Sequence, residues 1–158
     1  MPLDPARALR PLAGAAIPLF ERFIQDAEPG REPPRTLDRE GLLESVRREV
    51  GRILNTRCQV AAGELAPGER TTIDYGLPDI APFFTAAGTD QARAARLAVD
   101  AITAFEPRLR NVGVGIRPEV TGGRGLIFQI DALLVVGDVV EPISFPIVGP
   151  DVAGTEAG

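Results

Sequence analysis

The chain has 158 residues, 44% hydrophobic and 25% charged, an ordinary soluble composition at a length that buries a core without disulfides or a structural metal. It holds no histidine and its 17 basic residues are all arginine, which excludes Ser-His-Asp and Cys-His nucleophiles, imidazole zinc sites, Schiff bases and a P-loop lysine. A net charge of -5 disfavours nucleic acid and anionic membranes and leaves a protein partner as the expectation.

Residues 1–16 are Pro- and Ala-rich without a periodic face and are expected to form a mobile leader. Leu12 to Phe20 sketch a signal peptide after Arg7 and Arg10, but Asp4, the prolines and the missing small-residue cleavage site argue against one. The longest aliphatic run, 132–136, is too short to cross a membrane. A single domain is expected over 17–148 and a disordered tail over 149–158. The lone Cys58 forms no internal bridge and suits a reducing, cytoplasmic compartment. No cofactor or metal is expected.

Ile17, Phe20, Ile24 and Ala27 recur at helical spacing behind Pro18, so a first helix is expected there, stopped by Pro29 and Gly30. A linker follows over 31–35. The strongest helix is predicted over 39–54, with Asp38 as N-cap and Leu42, Leu43, Val46, Val50, Ile53 and Leu54 as its apolar stripe. Asn55 is expected to close it in a left-handed conformation. Residues 59–88 read as a long structured loop with a short helix at 78–84. A third helix, 90–105, is expected to be capped by Thr89 and ended by Pro107, which pushes Glu106 out of helical geometry.

From Arg108 the period becomes two. Val112, Val114 and Ile116 line a first strand over 108–118, and a hairpin turn is expected at 121–125. Leu126, Phe128, Ile130, Ala132, Leu134 and Val136 share one face of a second strand. Ile127, Leu133 and Val135 make its other face apolar, which asks for a cover. After a turn at Gly137 and Asp138, a third strand places Ile143, Phe145 and Ile147 on one face. Pro142 and Pro146 share the opposite parity, so their side of the strand is expected to be a sheet edge. If the strands lie in sequence order, the first strand carries the open edge. Helices followed by a small antiparallel C-terminal sheet of about three strands make an α+β fold.

Three segments go beyond generic patterning: SVRREVGRILNTR (45–57), TIDYGLPDI (72–80) and ITAFEPRLRNVGV (102–114). In this order and spacing they resemble the contractile-tail baseplate proteins also called lysozyme-like, and most closely the type VI secretion branch of that family. The opening IPLFERF is similar to that branch's short N-terminal helix. The resemblance spans 17–147 and implies an assembly role. The implied partners are other wedge proteins, of the TssF, TssG and TssK type, and contractile sheath proteins, of the TssB and TssC type, which begin to polymerise on the small sheet. The partner-binding residues expected on this reading are Glu106, Pro107, Arg108, Val112, Val114 and Ile116. A phage tail or related injection particle is the alternative setting, and a regulatory adaptor of the wider fold family is disfavoured by LNTR and FEPRL.

The residues also have plainer readings. Glu106 opposes the negative end of a helix dipole and needs a cation, so Glu106-Pro107-Arg108 is either a local ion pair bracing the corner or a contact to a wedge protein. Asn55 and Thr56 are ordinary helix-end choices. Arg57 either favours the helix dipole or pairs with Asp74 or Asp79. Tyr75-Gly76-Leu77-Pro78, ahead of Asp79, reads as a tight turn with Gly76 at positive φ, Tyr75 packed and Cys58 inert. A glycosidase needs two carboxylates, and Glu106 with Asp74 or Asp79 is the only pair to nominate. Arg108 would lower the pKa of Glu106 where an acid needs it raised, and the chain has no Trp and one Tyr to stack a sugar.

Overall fold

The computed structural model describes residues 15–16, 36–65, 70–85, 88–118 and 125–151. The expected first helix, the 31–35 linker and the 121–124 part of the hairpin turn lie outside them. Two compact units divide the chain at Ser45 and Val46.

In the first unit, β1 (Ala15–Ala16) pairs antiparallel with β2 (Thr36–Leu37), a ladder the sequence does not announce. Helix α1 (Arg39–Asn55) begins here, and Asp38 Oδ1 accepts from the Gly41 amide at 2.8 Å, the expected cap. The helix continues into the second unit with Val46, Val50, Ile53 and Leu54 buried, each such aliphatic side chain stabilising the fold by about 1.5–3 kcal/mol. Asn55 does not end the helix in a left-handed conformation, since Asn111 is the one non-glycine described residue at positive φ. Its amide instead donates to Gly51 O at 2.9 Å and to Val148 O at 3.0 Å.

The loop that follows contains two 3-10 turns, Thr72–Asp74 and Ala81–Phe83, the second shorter than the helix expected over 78–84. A short ladder of β3 (Phe84–Thr85) and β4 (Gly88–Thr89) leads into helix α2 (Gln91–Phe105). Its cap is Asp90 and not Thr89, which lies in β4: Asp90 Oδ1 accepts from the Arg93 amide at 3.0 Å. Ala94, Ala98, Ala101 and Ile102 form its buried face.

The sheet is antiparallel with order β5 (Leu109–Pro118), β6 (Gly125–Val136), β7 (Val139–Asp151). Two described helices before a three-stranded sheet make the α+β arrangement read from the sequence. Leu126, Phe128, Ile130, Ala132 and Leu134 are buried on one face of β6, with Leu109 and Phe145 buried on its neighbours. The opposite face is not sealed: Ile127, Leu133 and Val135 are half-buried, Asp131 is exposed, and Ser144 links Gln129 to Asp131 through hydrogen bonds of 2.9 and 2.6 Å. The described residues thus cover this face only in part, and a polar bridge across the strands occupies some of it.

β7 runs to Asp151, past the start of the expected tail. Its last turn of packing depends on Gly149, where a Cβ would lie 2.1 Å from Phe128 Cε2, so the bare backbone closes on the aromatic ring.

Candidate functional site

All the motif residues described below lie in the second unit. The C-cap of α2 is Glu106, at φ -119 and ψ 81, so the helix does end before Pro107. Glu106 is only 1% exposed. Arg108 grips it through two parallel bonds, Nε to Oε1 at 2.7 Å and Nη2 to Oε2 at 2.6 Å, and its own amide donates to Oε1 at 3.2 Å. The Arg108 side chain is 18% exposed and Pro107 is exposed. Of the two readings of this corner, the local ion pair is the one present in the isolated chain. Glu106 thus has no surface of its own to give a partner. What the corner offers outward is Pro107 and the rim of a guanidinium already held in place.

The corner is joined to the sheet beyond it. Leu109 N donates to Glu106 O at 3.1 Å, and Val135 N donates to Arg108 O at 2.8 Å, so β6 anchors the start of β5. Asn111, at φ 52, lies where the β5–β6 register shifts between Arg110 and Gly113. Val112, Val114 and Ile116 are half-buried.

The direction of the backbone groups follows from parity. Pro142 and Pro146 have no amide hydrogen yet sit in an uninterrupted register opposite Leu133 and Gln129, so residues of their parity in β7 face away from β6. The Val148 carbonyl, of the same parity, is the one that Asn55 reaches from outside. It follows that Leu133, Gln129 and the other odd residues of β6 face β5, as the bond from Val135 N to Arg108 O requires. Gly113, Gly115 and Arg117 oppose those odd residues. The amides and carbonyls of Val114 and Ile116 therefore point outward, along an edge that no strand pairs among the described residues.

The second motif cluster closes on itself. Cys58 N donates to Leu77 O at 2.9 Å and Leu77 N to Thr56 O at 2.8 Å, which fastens the end of α1 to the turn at Gly76. Gly76 has φ +106, and a Cβ there would lie 2.3 Å from Thr56 O, so glycine is required twice over. Arg57 pairs with Asp79 and not Asp74: Nη2 donates to Oδ2 at 2.8 Å, with the two side chains 73% and 47% exposed. Asp79 Oδ1 also accepts from Ala81 N at 3.0 Å. Asp74 serves its own turn, accepting from Thr71 N at 2.8 Å and from Thr71 Oγ1 at 2.9 Å, and these bonds hold its carboxyl below the usual range. Between the two segments lies a small concavity with Leu54, Pro78, Ile80 and Pro150 among its walls.

Tyr75 is packed, as expected. Its ring meets that of Phe105 with centroids 5.1 Å apart, and its hydroxyl donates to Glu49 Oε1 at 2.8 Å. Burial, then this bond to a carboxylate, push the phenol pKa upward. Arg70 Nη1 donates to Gly76 O at 3.0 Å. Neither Glu49 nor Arg70 stands out in the sequence, because each lies in ordinary polar surroundings and meets its partner only through the turn.

The three carboxylates nominated for hydrolysis are thus each committed to a structural partner: Glu106 to Arg108, Asp79 to Arg57 and the Ala81 amide, and Asp74 to Thr71. No helix among the described residues is long and apolar enough to cross a membrane.

A sequence profile described as baseplate wedge protein gp25 matches residues 40–138, a range that contains all three motifs. No curated protein gives a significant match. Among solved structures, a chain of the baseplate complex from the type VI secretion system is 20% identical, with 70% of this chain and 96% of that one covered and a TM-score of 0.49. A Geobacter sulfurreducens protein, provisionally named a tail lysozyme, is 18% identical, with 71% and 95% covered and a TM-score of 0.46.

Proposed function

The chain belongs to the baseplate wedge protein gp25 family, and from that premise we propose that it is a structural, non-enzymatic part of a cytoplasmic type VI secretion baseplate, of the TssE type. On this reading it binds wedge proteins of the TssF, TssG and TssK type and starts the assembly of a TssB and TssC type sheath. The type VI setting rests on the conjunction of LNTR, YGLPD and FEPRL. The observation that carries the assembly role is the outward edge of β5: Val114 and Ile116 direct donors and acceptors away from a regular sheet whose other edge is interrupted by prolines. Such an edge accepts one further strand, and the half-buried Val112, Val114 and Ile116 side chains supply apolar contact beside the hydrogen bonds.

Wedge binding is assigned to Pro107 and the outer rim of Arg108, with Glu106 acting as the positioning carboxylate beneath them. The Asn55, Thr56, Arg57 and Tyr75, Gly76, Pro78, Asp79 segments are the frame that fastens α1 to the loop. Val114→Pro deletes an outward donor and leaves the ladder to β6 intact, so it tests the edge directly. Sheath polymerisation should fail with that variant while its circular dichroism and its co-purification with TssF and TssG type proteins stay unchanged. Normal sheath length would move the nucleating edge elsewhere, and a wild-type chain that co-purifies with no wedge protein would overturn the baseplate reading itself.

A further inference from the structure

The face of α2 that turns away from the core has a character of its own. Arg93, Arg96, Leu97, Asp100 and Ala104 recur at three- and four-residue spacing, opposite the buried Ala94, Ala98 and Ala101. With Leu65 and Arg70 of the preceding loop they surround an open concavity of about 720 Å³. That volume suits a run of side chains and far exceeds what one ion needs.

Among the described residues three arginines face this space against a single aspartate, on a chain whose net charge is -5. Two of them are held in position already. The Arg93 guanidinium stacks 4.9 Å from the centroid of the Phe83 ring, which occupies its flat face and leaves its in-plane donors available. Arg70 spends one donor on the Gly76 carbonyl. Arg96 is exposed and makes no ion pair or hydrogen bond among the described residues. Between the cations lie the half-buried Leu65 and Leu97, an apolar floor that a phosphate chain would leave unused. Among the described residues no aromatic ring lines the space to stack a base.

We propose that this concavity docks an acidic amphipathic segment of a protein partner, its carboxylates on Arg70, Arg93 and Arg96 and its apolar side chains on Leu65 and Leu97. Preorganised guanidinium groups lose little freedom on binding, so the site takes such a segment without rebuilding itself. It is separate from the Arg108 corner and the β5 edge, and it holds whether or not the partner is a baseplate protein.

The test uses the full-length chain, isotope-labelled for amide NMR, and a short helical probe peptide with glutamates on one face and leucines at i, i+3 and i+4 on the next. Amide shifts should centre on residues 62–65, 70 and 93–104. Arg96→Glu should weaken binding by about tenfold or more and Arg96→Lys by much less. A peptide with its leucines changed to serine should also bind at least about tenfold more weakly. Absence of saturable shifts, shifts centred elsewhere, or equal affinity for the serine peptide would overturn the proposal, the last by reducing the site to a simple anion patch. Tighter binding of oligothymidylate than of the glutamate-leucine peptide would likewise replace it with a nucleic-acid surface.

Discussion

Removal of the Arg108 side chain leaves the Glu106 carboxylate buried with neither of its bidentate partners. An unpaired buried charge is costly, so Arg108→Ala should destabilise the chain by about 3–5 kcal/mol in urea denaturation, far beyond the value of an exposed pair. Replacing both members, Glu106→Met with Arg108→Leu, should recover most of that loss, because no charge then remains to be desolvated. An Arg108→Ala chain within about 1 kcal/mol of the parent would show that the carboxylate finds other donors. Tyr75 makes a second prediction at this scale. Burial and the Glu49 carboxylate raise its phenol above the ordinary 10.0, so the fold prefers the protonated form more strongly than the unfolded chain does. That contribution is complete below pH 10 and is lost as pH climbs toward the folded value. Stability should therefore fall more steeply above pH 10 in the parent chain than in Tyr75→Phe, as followed by urea titrations at successive alkaline pH values. Parallel slopes would exclude the phenol as the source.

At the scale of elements, the two outer strands of the sheet are treated unequally. β7 carries Pro142 and Pro146 at one parity, and each removes an amide that would otherwise face outward. Asn55 occupies the Val148 carbonyl on the same edge. A strand seeking to pair there meets missing donors and an acceptor already in use, which is how sheets avoid uncontrolled growth. Pro142→Val combined with Pro146→Val should restore two donors beside the exposed Val140 and Val148 and so promote self-association, measurable by sedimentation velocity. A strictly unchanged sedimentation profile would mean that the edge is protected by something other than its prolines. The helices follow simpler rules. α1 and α2 start where an aspartate accepts the third amide onward, and α2 stops where Pro107 forbids another turn.

For the molecule as a whole, membership of a structural baseplate family and the fate of the carboxylates lead to the same expectation. Glycoside hydrolysis requires one carboxylic acid kept protonated beside a cleft and a second carboxylate facing it. Among the described residues the most buried carboxylate is clasped by an arginine, and the half-buried Asp74 is held toward its ionised form by Thr71. Peptidoglycan incubated with the purified chain should release no more reducing ends than buffer does. Release that disappeared with Glu106→Gln would restore the hydrolase assignment.

The order and type of the two described helices and three long strands were legible in the sequence because they depend on near neighbours. The stripe from Leu42 to Leu54, the run of alternate apolar residues from Leu126 to Leu134 and the proline parity of β7 each encode which face is buried or which edge is closed within a few residues. The LNTR, YGLPD and EPR segments likewise announced a family before any contact was known. What tertiary structure decided were choices between equivalent partners far apart in the chain. Arg57 had two aspartates within plausible reach, and the turn at Gly76, set by its contact with Thr56, delivers Asp79. Asn55 traded a left-handed cap for a carbonyl 93 residues away. Glu106 and Arg108, two residues apart, were readable as a pair, but whether that pair lay exposed or buried was not, since burial comes from how helix and sheet close over the corner and from no property of the three residues themselves.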